Sequence, residues 1–473
     1  MSESERSRAH AQRFSRHYMD LLVALEAAAG GTGPNDCGEE EKVFLDSSLL
    51  PEEEWGGARD TPEVAKVFEM TRSGRRPGDE DVVQARLDVI RAVDVPGLAR
   101  RATKEAGGID ENRISGKARR KQVPSLEEGY RAVRDSLVWA ARGVRPARDF
   151  GEEIMPAVLC MPGARYPPAR QRQREMREKR GEITAMLEGL FPGMEGAGFG
   201  EFMGRYNESF VVGGRVADVY GEMLLEFLRA AKERIPFVPS EAEIVVKVLP
   251  ADSTQMGSFD YRPGYRGYSR IRPDPESSLA RIHALTKHEF THFLLCALKE
   301  ALYMERLEEG VNDTMLGTGT MCSYIVTAEE GAGDCFDQLF AEPLGVGPET
   351  WDIPPELCVL EAGLSELRGM YTTDCSLRML KEKPEFGSQK ELEAYIMEVV
   401  GIPSWARTRS LAYFDPFRYP KAALYHPLYR MNEKIVAEAI GAHGSEHVLR
   451  AFREFPVGAP ILADACMELE RSW

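Results

Sequence analysis

The five residues His288-Glu289-Phe290-Thr291-His292 have the types and spacing of a metal site that performs hydrolysis. On a helix, side chains four residues apart lie one above the other, so the two imidazoles can bind one metal ion. Glu289 is turned toward the open coordination position, where its carboxylate can take a proton from metal-bound water. Only about 0.02 accidental matches to this pattern are expected in a chain with this His content. We therefore predict zinc bound by His288 and His292, with Glu289 as the general base.

Two other kinds of structure could use the same residues. The two His could be core residues of a buried helix, bonded to neighbouring carbonyls, but this leaves the Glu between them unexplained. Glu289-x-x-His292 is also the Glu-x-x-His pair of a carboxylate-bridged di-iron bundle. Such bundles need two pairs of this kind, and no other Glu stands three residues before a His in this chain. The zinc interpretation is favoured over both.

A zinc site needs a third protein ligand, and Glu330 is our candidate. It lies in the segment Thr327-Ala328-Glu329-Glu330-Gly331-Ala332-Gly333-Asp334, whose two glycines would let a second helix approach the first closely. Asp334 follows Glu330 by one turn and could orient His288 or His292. A carboxylate as third ligand leaves the fourth position to water, as in catalytic zinc sites. One alternative stays open: Thr327-x-x-Glu330 is also a capping box, and Glu329 would be the ligand if Glu330 caps the helix.

The flanking sequence predicts the elements that must position these residues. Ser277-Ser278 can cap a helix, and neither Pro nor Gly interrupts residues 277–303, so both His lie mid-helix. Residues 243–249 form the best strand pattern in the chain, because they are β-branched and lie between two prolines. Residues 257–261 and 268–272 could complete a small sheet that leads into the metal helix. A surface hairpin unrelated to any substrate is the alternative for these two segments.

The two motifs His288-Glu289-x-x-His292 and Glu330-x-x-x-Asp334 together resemble the gluzincin group of zinc peptidases. Their helix-rich surroundings resemble the mostly helical zinc carboxypeptidases and oligopeptidases. This resemblance covers about residues 210–460, and it implies cleavage of peptide bonds, mainly in short peptides. Glu330-Gly331 also begins the Glu-Gly-Trp-Ala motif of an uncharacterised family of helical peptidase-like proteins, although Ala332-Gly333 stands here in place of Trp-Ala.

Peptide hydrolysis passes through an oxyanion that needs a second electrophile besides zinc. Pro420-Lys421-Ala422-Ala423-Leu424-Tyr425 resembles the Tyr-bearing helix of that uncharacterised family, so Tyr425 is the predicted oxyanion stabiliser. Tyr429, one turn on, shares its face, and Arg430 or Arg418 could hold a substrate carboxylate. Each of these side chains could instead simply cover the core.

Composition and charge limit the possible partners. The chain has 473 residues with 43% hydrophobic content, which is typical of a large soluble globular protein. Its net charge of −16 argues against a nucleic-acid groove or an anionic membrane surface as a partner. It has no stretch of 18 apolar residues and no N-terminal h-region, and its eight Cys lack Cys-x-x-Cys spacing. We expect a cytoplasmic protein with a peptide substrate and leave its oligomeric state open.

We predict a mainly α fold of zincin type with a small antiparallel or mixed sheet beside the active-site helix. An N-terminal helical region would occupy residues 1–150 and the catalytic region residues 151–473, although the two could form one integrated unit. Further helices are expected at 13–30, 80–93, 125–141, 168–190, 213–235, 387–400, 428–441 and 444–454. The basic segment from Arg100 to Lys121 is expected to be a solvated linker or lid.

Two other functions remain possible on the sequence alone. A non-catalytic, metal-stabilised helical binding protein would carry a fourth protein ligand, such as His283 or a Cys, in place of water. His283 lies about 140° round the helix from His288, which argues against it as that ligand. A metal hydrolase acting on a non-peptide ester or amide would use the same residues as a peptidase.

Overall fold

The structure is a computed structural model, and it describes residues 3–29, 57–73, 75, 79–109, 123–124, 127–135, 152–153, 156, 164–194, 196–249, 257–274, 277–308, 327–381, 384–402, 405–406, 411–414, 420–454, 462 and 465–467. Helices make up most of these residues, and three strands form one small mixed sheet. The predicted mainly α fold with a small sheet is therefore confirmed.

Four N-terminal helices share one hydrophobic core: α1 (Glu3–Ala29), α2 (Pro62–Arg72), α3 (Glu80–Ala92) and α4 (Val95–Gly107). The linker predicted from residue 100 onward is wrong as far as residue 107, because these residues belong to α4. Its buried Leu98, Ala102 and Ala106 recur at helical spacing, and the basic residues occupy the outer face. Residues 110–121 lie outside the described chain.

Three helices connect this region to the sheet: α5 (Ala169–Leu190), α6 (Phe199–Phe210) and α7 (Val216–Arg234). The predicted helices at 168–190 and 213–235 match α5 and α7 closely. α7 packs against the helix that carries the His pair, and the ring of Phe227 stacks on that of Phe290 with centroids 5.6 Å apart. Burial of these rings fixes the position of the helix that carries the His pair, since aromatic pairs contribute strongly to core stability.

The sheet contains β1 (Glu243–Val248), β2 (Gly257–Arg262) and β3 (Arg266–Ile271) in the order β1-β3-β2. β1 pairs with β3 in parallel, and β2 pairs with β3 in antiparallel fashion. All three strands lie where the sequence predicts them, within one or two residues. The buried Glu300 carboxylate accepts hydrogen bonds from the Tyr261 hydroxyl and from the backbone N–H groups of Gly264 and Tyr265. Glu300 lies on the helix that carries His288 and His292, so these hydrogen bonds attach the β2–β3 turn to that helix.

The helix that carries His288 and His292, α8, spans Leu279–Glu308. Ser278 caps it, as predicted, because its hydroxyl oxygen accepts the N–H of Arg281 at 3.1 Å. The same hydroxyl donates to the buried carboxylate of Glu361 at 2.6 Å, which also accepts the hydroxyl of Tyr206 at 2.6 Å. The Glu361 carboxylate thus links the start of α8 to Tyr206 of α6 through two hydrogen bonds.

Further helices of the described chain are α9 (Thr327–Asp334), α10 (Pro355–Met379), α11 (Gln389–Val399), α12 (Pro420–His443) and α13 (Ser445–Glu454). α10 is not predicted by the sequence. α12 begins eight residues before the predicted 428–441 helix and continues through Pro427, so the sequence places its start too late. α9 packs between α8 and α12, which brings three separate chain segments together at the predicted metal site.

Two hydrophobic clusters occupy the described chain. One belongs to the N-terminal helices, and the other is built around α7, α8 and α10. Leu377 of α10 and Leu428 of α12 nevertheless pack in the N-terminal cluster, so the two regions share side chains. Among the described residues, no helix is both long enough and apolar enough to cross a membrane.

Candidate metal centre

His288 and His292 lie on one face of α8, a single turn apart, with both imidazoles directed at α9. Their Nε2 atoms are 3.4 Å apart. The side chains are each 16% exposed, so they are accessible from only one direction. The helical spacing and the position in mid-helix agree with the arrangement that a shared metal ion requires.

Glu330 of α9 brings its carboxylate to both imidazoles. Its Oε2 lies 3.0 Å from His288 Nε2 and 3.6 Å from His292 Nε2. The three donor atoms therefore form a triangle with sides of 3.0, 3.4 and 3.6 Å. Ligands about 2.1 Å from a tetrahedral zinc ion are about 3.4 Å from one another, so this triangle is one face of such a tetrahedron. In the described chain these three residues form the one His, Cys, Asp and Glu cluster with metal-site geometry.

Asp334 holds the other side of the His288 ring, with its Oδ1 3.1 Å from Nδ1. A carboxylate in this place fixes the ring orientation and places the proton on Nδ1, which leaves the Nε2 lone pair for a metal. Asp334 thus lies one turn after Glu330 and contacts His288, one of the two His that the sequence analysis names for it. The ring of Tyr429 stacks on the His288 ring, with centroids 6.2 Å apart.

Two glycines let α9 approach both of its neighbours. A Cβ on Gly333 would lie 2.5 Å from His288 Nδ1, and one on Gly331 would lie 2.8 Å from the backbone oxygen of Asn432 in α12. A larger residue at either position would force α9 or the group it contacts to shift. The close approach predicted from the glycines therefore occurs on both faces of this short helix.

Replacing Gly333 with Ala should displace the His288 ring and weaken metal binding at least about tenfold, as loss of a contact that orients a ligand does. Gly181→Ala is the matched control. Gly181 lies inside α5 with open space around its Cα, so this change should leave metal binding intact and stabilise the protein by about 0.5–1 kcal/mol. Metal titration and thermal unfolding of both variants measure the difference; equal metal affinities would contradict the role assigned to Gly333.

Glu289 is 5% exposed and lies outside the triangle of donor atoms. Its Oε1 approaches the first residue of β2, because a Cβ on Gly257 would lie 2.8 Å from it. Burial raises the pKa of Glu289, and the carboxylates of Glu330 and Asp260 act in the same direction, whereas the two ligand imidazoles lower it. Its carboxyl group is therefore held in a poorly hydrated space between α8 and the edge of the sheet.

Opposite charges control the protonation of the cluster in the absence of a metal. Burial would lower the pKa of His288, but the hydrogen bonds that its ring donates to Asp334 and Glu330 raise the pKa well above its ordinary value. For His292, burial is likewise outweighed, here by attraction to Glu330, and its pKa is raised. Burial would raise the pKa of Glu330, but the two imidazoles hold it well below the usual range. In the absence of a metal, the carboxylates thus favour the protonated form of both imidazoles, so protons would compete with any metal ion for these nitrogens.

Glu329, the alternative ligand, is engaged elsewhere. Its carboxylate forms a buried ion pair with Lys299 of α8, and no described contact joins it to the two His. Glu330 contacts both imidazoles instead. The side chain of Thr327 lies outside the described residues, so the proposed capping box has no described counterpart.

The predicted substrate-binding residues lie on α12. The side chain of Tyr425 is outside the described residues, and Tyr429, four residues later, stacks on His288. Arg430 forms ion pairs with Glu433 and, at 3.5 Å, with Glu366. Its guanidinium is therefore already paired with two carboxylates, and no described contact links it to the donor atoms. Arg418 lies outside the described chain.

His283 does not join the metal cluster. Its ring lies 5.2 Å from that of Trp351 and 5.9 Å from that of Phe227, measured between centroids, on the core side of α8. Burial lowers the pKa of His283 to about 4, so it is neutral at physiological pH. This position agrees with the expectation that His283, about 140° round the helix from His288, is not a fourth ligand.

Comparisons with known proteins assign no family. No family model matches the chain, and no curated protein matches it. One similar solved structure is described as "the putative lipoprotein from Colwellia psychrerythraea"; it is 12% identical, with 97% of this chain and 91% of that chain covered and a TM-score of 0.47. Another is "a putative lipoprotein of unknown function from Shewanella oneidensis", 12% identical over 100% of both chains, with a TM-score of 0.44.

These findings correct three predictions. Assignment to the gluzincin peptidases is wrong, and cleavage of peptide bonds is withdrawn with it, because no family model matches and neither similar structure is described as a peptidase. The predicted cytoplasmic location is contradicted by the same two descriptions, and no location replaces it. The physical reason is that a five-residue motif and a distant Glu specify how two helices can hold a metal. Neither feature specifies a family or a substrate.

Proposed function

We propose that His288, His292 and Glu330 bind a zinc ion and that the protein is a zinc-dependent hydrolase with Glu289 as its general base. The observation that carries this proposal is the triangle of donor atoms, whose sides of 3.0, 3.4 and 3.6 Å suit tetrahedral zinc. Two imidazoles and one carboxylate are the ligand set of catalytic zinc, which keeps one position for water.

Each residue of the cluster has a separate task in this proposal. Zinc bound here would lower the pKa of a coordinated water to about 7. Glu289 accepts a proton from the attacking water and returns it to the leaving group, for which a buried carboxylate with a raised pKa is suited. Asp334 and the ring of Tyr429 restrict rotation of the His288 imidazole.

Titration of the chelator-treated protein with zinc at pH 6 and pH 8 tests the metal site. We expect one equivalent to bind, and more tightly at pH 8, because the raised pKa values of His288 and His292 mean that protons compete at the lower pH. The affinity should rise by up to about tenfold per pH unit for each proton released. Absence of stoichiometric binding would remove the proposed site.

A panel of carboxylic ester, amide and phosphoester substrates tests the hydrolytic activity. Turnover should require zinc, disappear with chelator and return when zinc is restored. Stoichiometric zinc with no turnover on any substrate of the panel would instead favour a structural metal site. The two experiments therefore separate failure of zinc binding from failure of catalysis.

A further inference from the structure

Lys299 and Glu329 form an ion pair in the interior of the protein, between α8 and α9. Lys299 is 0% exposed and Glu329 is 2% exposed. Each charge is costly to bury alone, so the pair persists only while both partners face each other. These are the two helices that supply the proposed metal ligands.

The Lys299–Glu329 pair lies next to the proposed ligands on both helices. Lys299 follows His292 by seven residues and His288 by eleven, or about two and three turns, so the three side chains share one face of α8. On α9, Glu329 directly precedes Glu330. From Glu329 to Asp334, α9 therefore contacts α8 at Lys299, then at both His and finally at His288, which is an antiparallel alignment.

We propose that Lys299 is a positioning residue for Glu330, an inference that rests on the proposed zinc site. Two adjacent carboxylates, Glu329 and Glu330, are available to a cation between the helices. They point about 100° apart on α9, so the rotation of this helix decides which one faces the imidazoles. Lys299 engages Glu329 and thereby fixes the rotation that presents Glu330. This role explains why a chain with consecutive Glu residues offers one ligand rather than two.

Lys299→Met tests the proposal, because it leaves the Glu329 carboxylate buried and unpaired beside the site. We expect zinc affinity, measured on the folded protein by competition with a chelator, to fall about 10- to 100-fold, the loss typical when a group that orients a ligand is removed. A lower thermal midpoint with unchanged zinc affinity would overturn the proposal, since the pair would then serve stability alone.

The double variant Lys299→Met/Glu329→Leu removes both charges and keeps an apolar contact at the same place. Because a buried ion pair can be replaced by apolar residues without loss of fold, zinc affinity should recover to within about threefold of the unchanged protein. Failure to recover would also overturn the proposal, because the loss would then not arise from the unpaired Glu329. If Lys299→Met does not fold, Glu329→Gln replaces it and should weaken zinc binding at least about threefold.

Arg172→Met is the matched control. Arg172 is 13% exposed and pairs at 2.6 Å with the fully buried Asp374, so it joins α5 to α10, which carry no ligand. Its loss should lower the thermal midpoint and leave zinc affinity unchanged; an equal fall in zinc affinity would remove the special role of Lys299. Absence of zinc binding in the unchanged protein would instead be a failure of the proposed function.

Discussion

Replacing His292 with Ala should lower zinc affinity by about 10²–10³-fold. Zinc bound by four ligands is worth roughly 10–16 kcal/mol, so one ligand contributes about 3–4 kcal/mol. His292 Nε2 lies in the triangle of donor atoms, and no other described His is near enough to replace it. Chelator competition monitored with a zinc dye gives the affinity directly.

His283→Leu is the control for this variant. His283 lies on the same helix, is 1% exposed and has a buried Nε2 without a hydrogen-bond partner. An apolar side chain of similar volume should therefore fit without loss of stability. Zinc affinity should not change, because this ring packs against Trp351 and Phe227. A loss equal to that of His292→Ala would place the ion elsewhere or make the effect a general consequence of altering α8.

The sequence predicts well those parts of the site that depend on a single helix. The positions of His288, Glu289 and His292 follow from residue spacing, and the Ser278 cap follows from residue type and the prolines before it. Glu330 and Asp334 could also be named, since one turn separates them and the glycines beside them permit close approach. In each case the information is local, because helical geometry relates residues a few positions apart.

Contacts between distant segments were not predictable in the same way. Nothing in the sequence indicates that Gly257 lies against Glu289, or that Lys299 pairs with Glu329. Lys299 had one available signal, since it lies on the same helix face as both His, but a Lys in an apolar helix gives no indication of its partner. Such partners depend on how the helices pack, which the spacing within one helix does not determine.

The first half of α10 buries apolar residues at helical spacing (Leu357, Leu360, Leu364, Leu367 and Tyr371), whereas its second half also buries charged residues. Asp374 is fully buried and accepts hydrogen bonds from Arg172 and Arg378 at 2.6 and 2.5 Å, and also from Tyr395. The apolar spacing of residues 357–371 was therefore an available signal for this helix, and these buried charges weaken the pattern only after Tyr371. The predicted start of α12 at residue 428 is too late for a different reason: a Pro inside a helix is unfavourable, yet this helix begins at Pro420 and continues through Pro427.

Replacing Glu289 with Gln should leave zinc bound and reduce the rate of hydrolysis by about 10²–10⁴-fold. The amide keeps the volume of the side chain, so contacts with Gly257 and the sheet edge are preserved. It cannot accept the proton of the attacking water, and general-base catalysis contributes about this factor. Zinc affinity should change little, because Glu289 is not one of the three donor groups. Turnover of whichever ester, amide or phosphoester the zinc-loaded protein cleaves gives the rate, and chelator competition gives the affinity.

Glu308→Gln is the control, since Glu308 is an exposed acid at the end of the same helix, two turns beyond Glu300. It should retain both zinc and activity. The combination expected for Glu289→Gln distinguishes a base from a ligand, because loss of a ligand lowers zinc affinity whereas loss of a base lowers only the rate. Full activity with zinc retained would exclude Glu289 as the base. Loss of zinc would mean that its carboxylate coordinates the ion, which would occupy the position that catalysis requires for water.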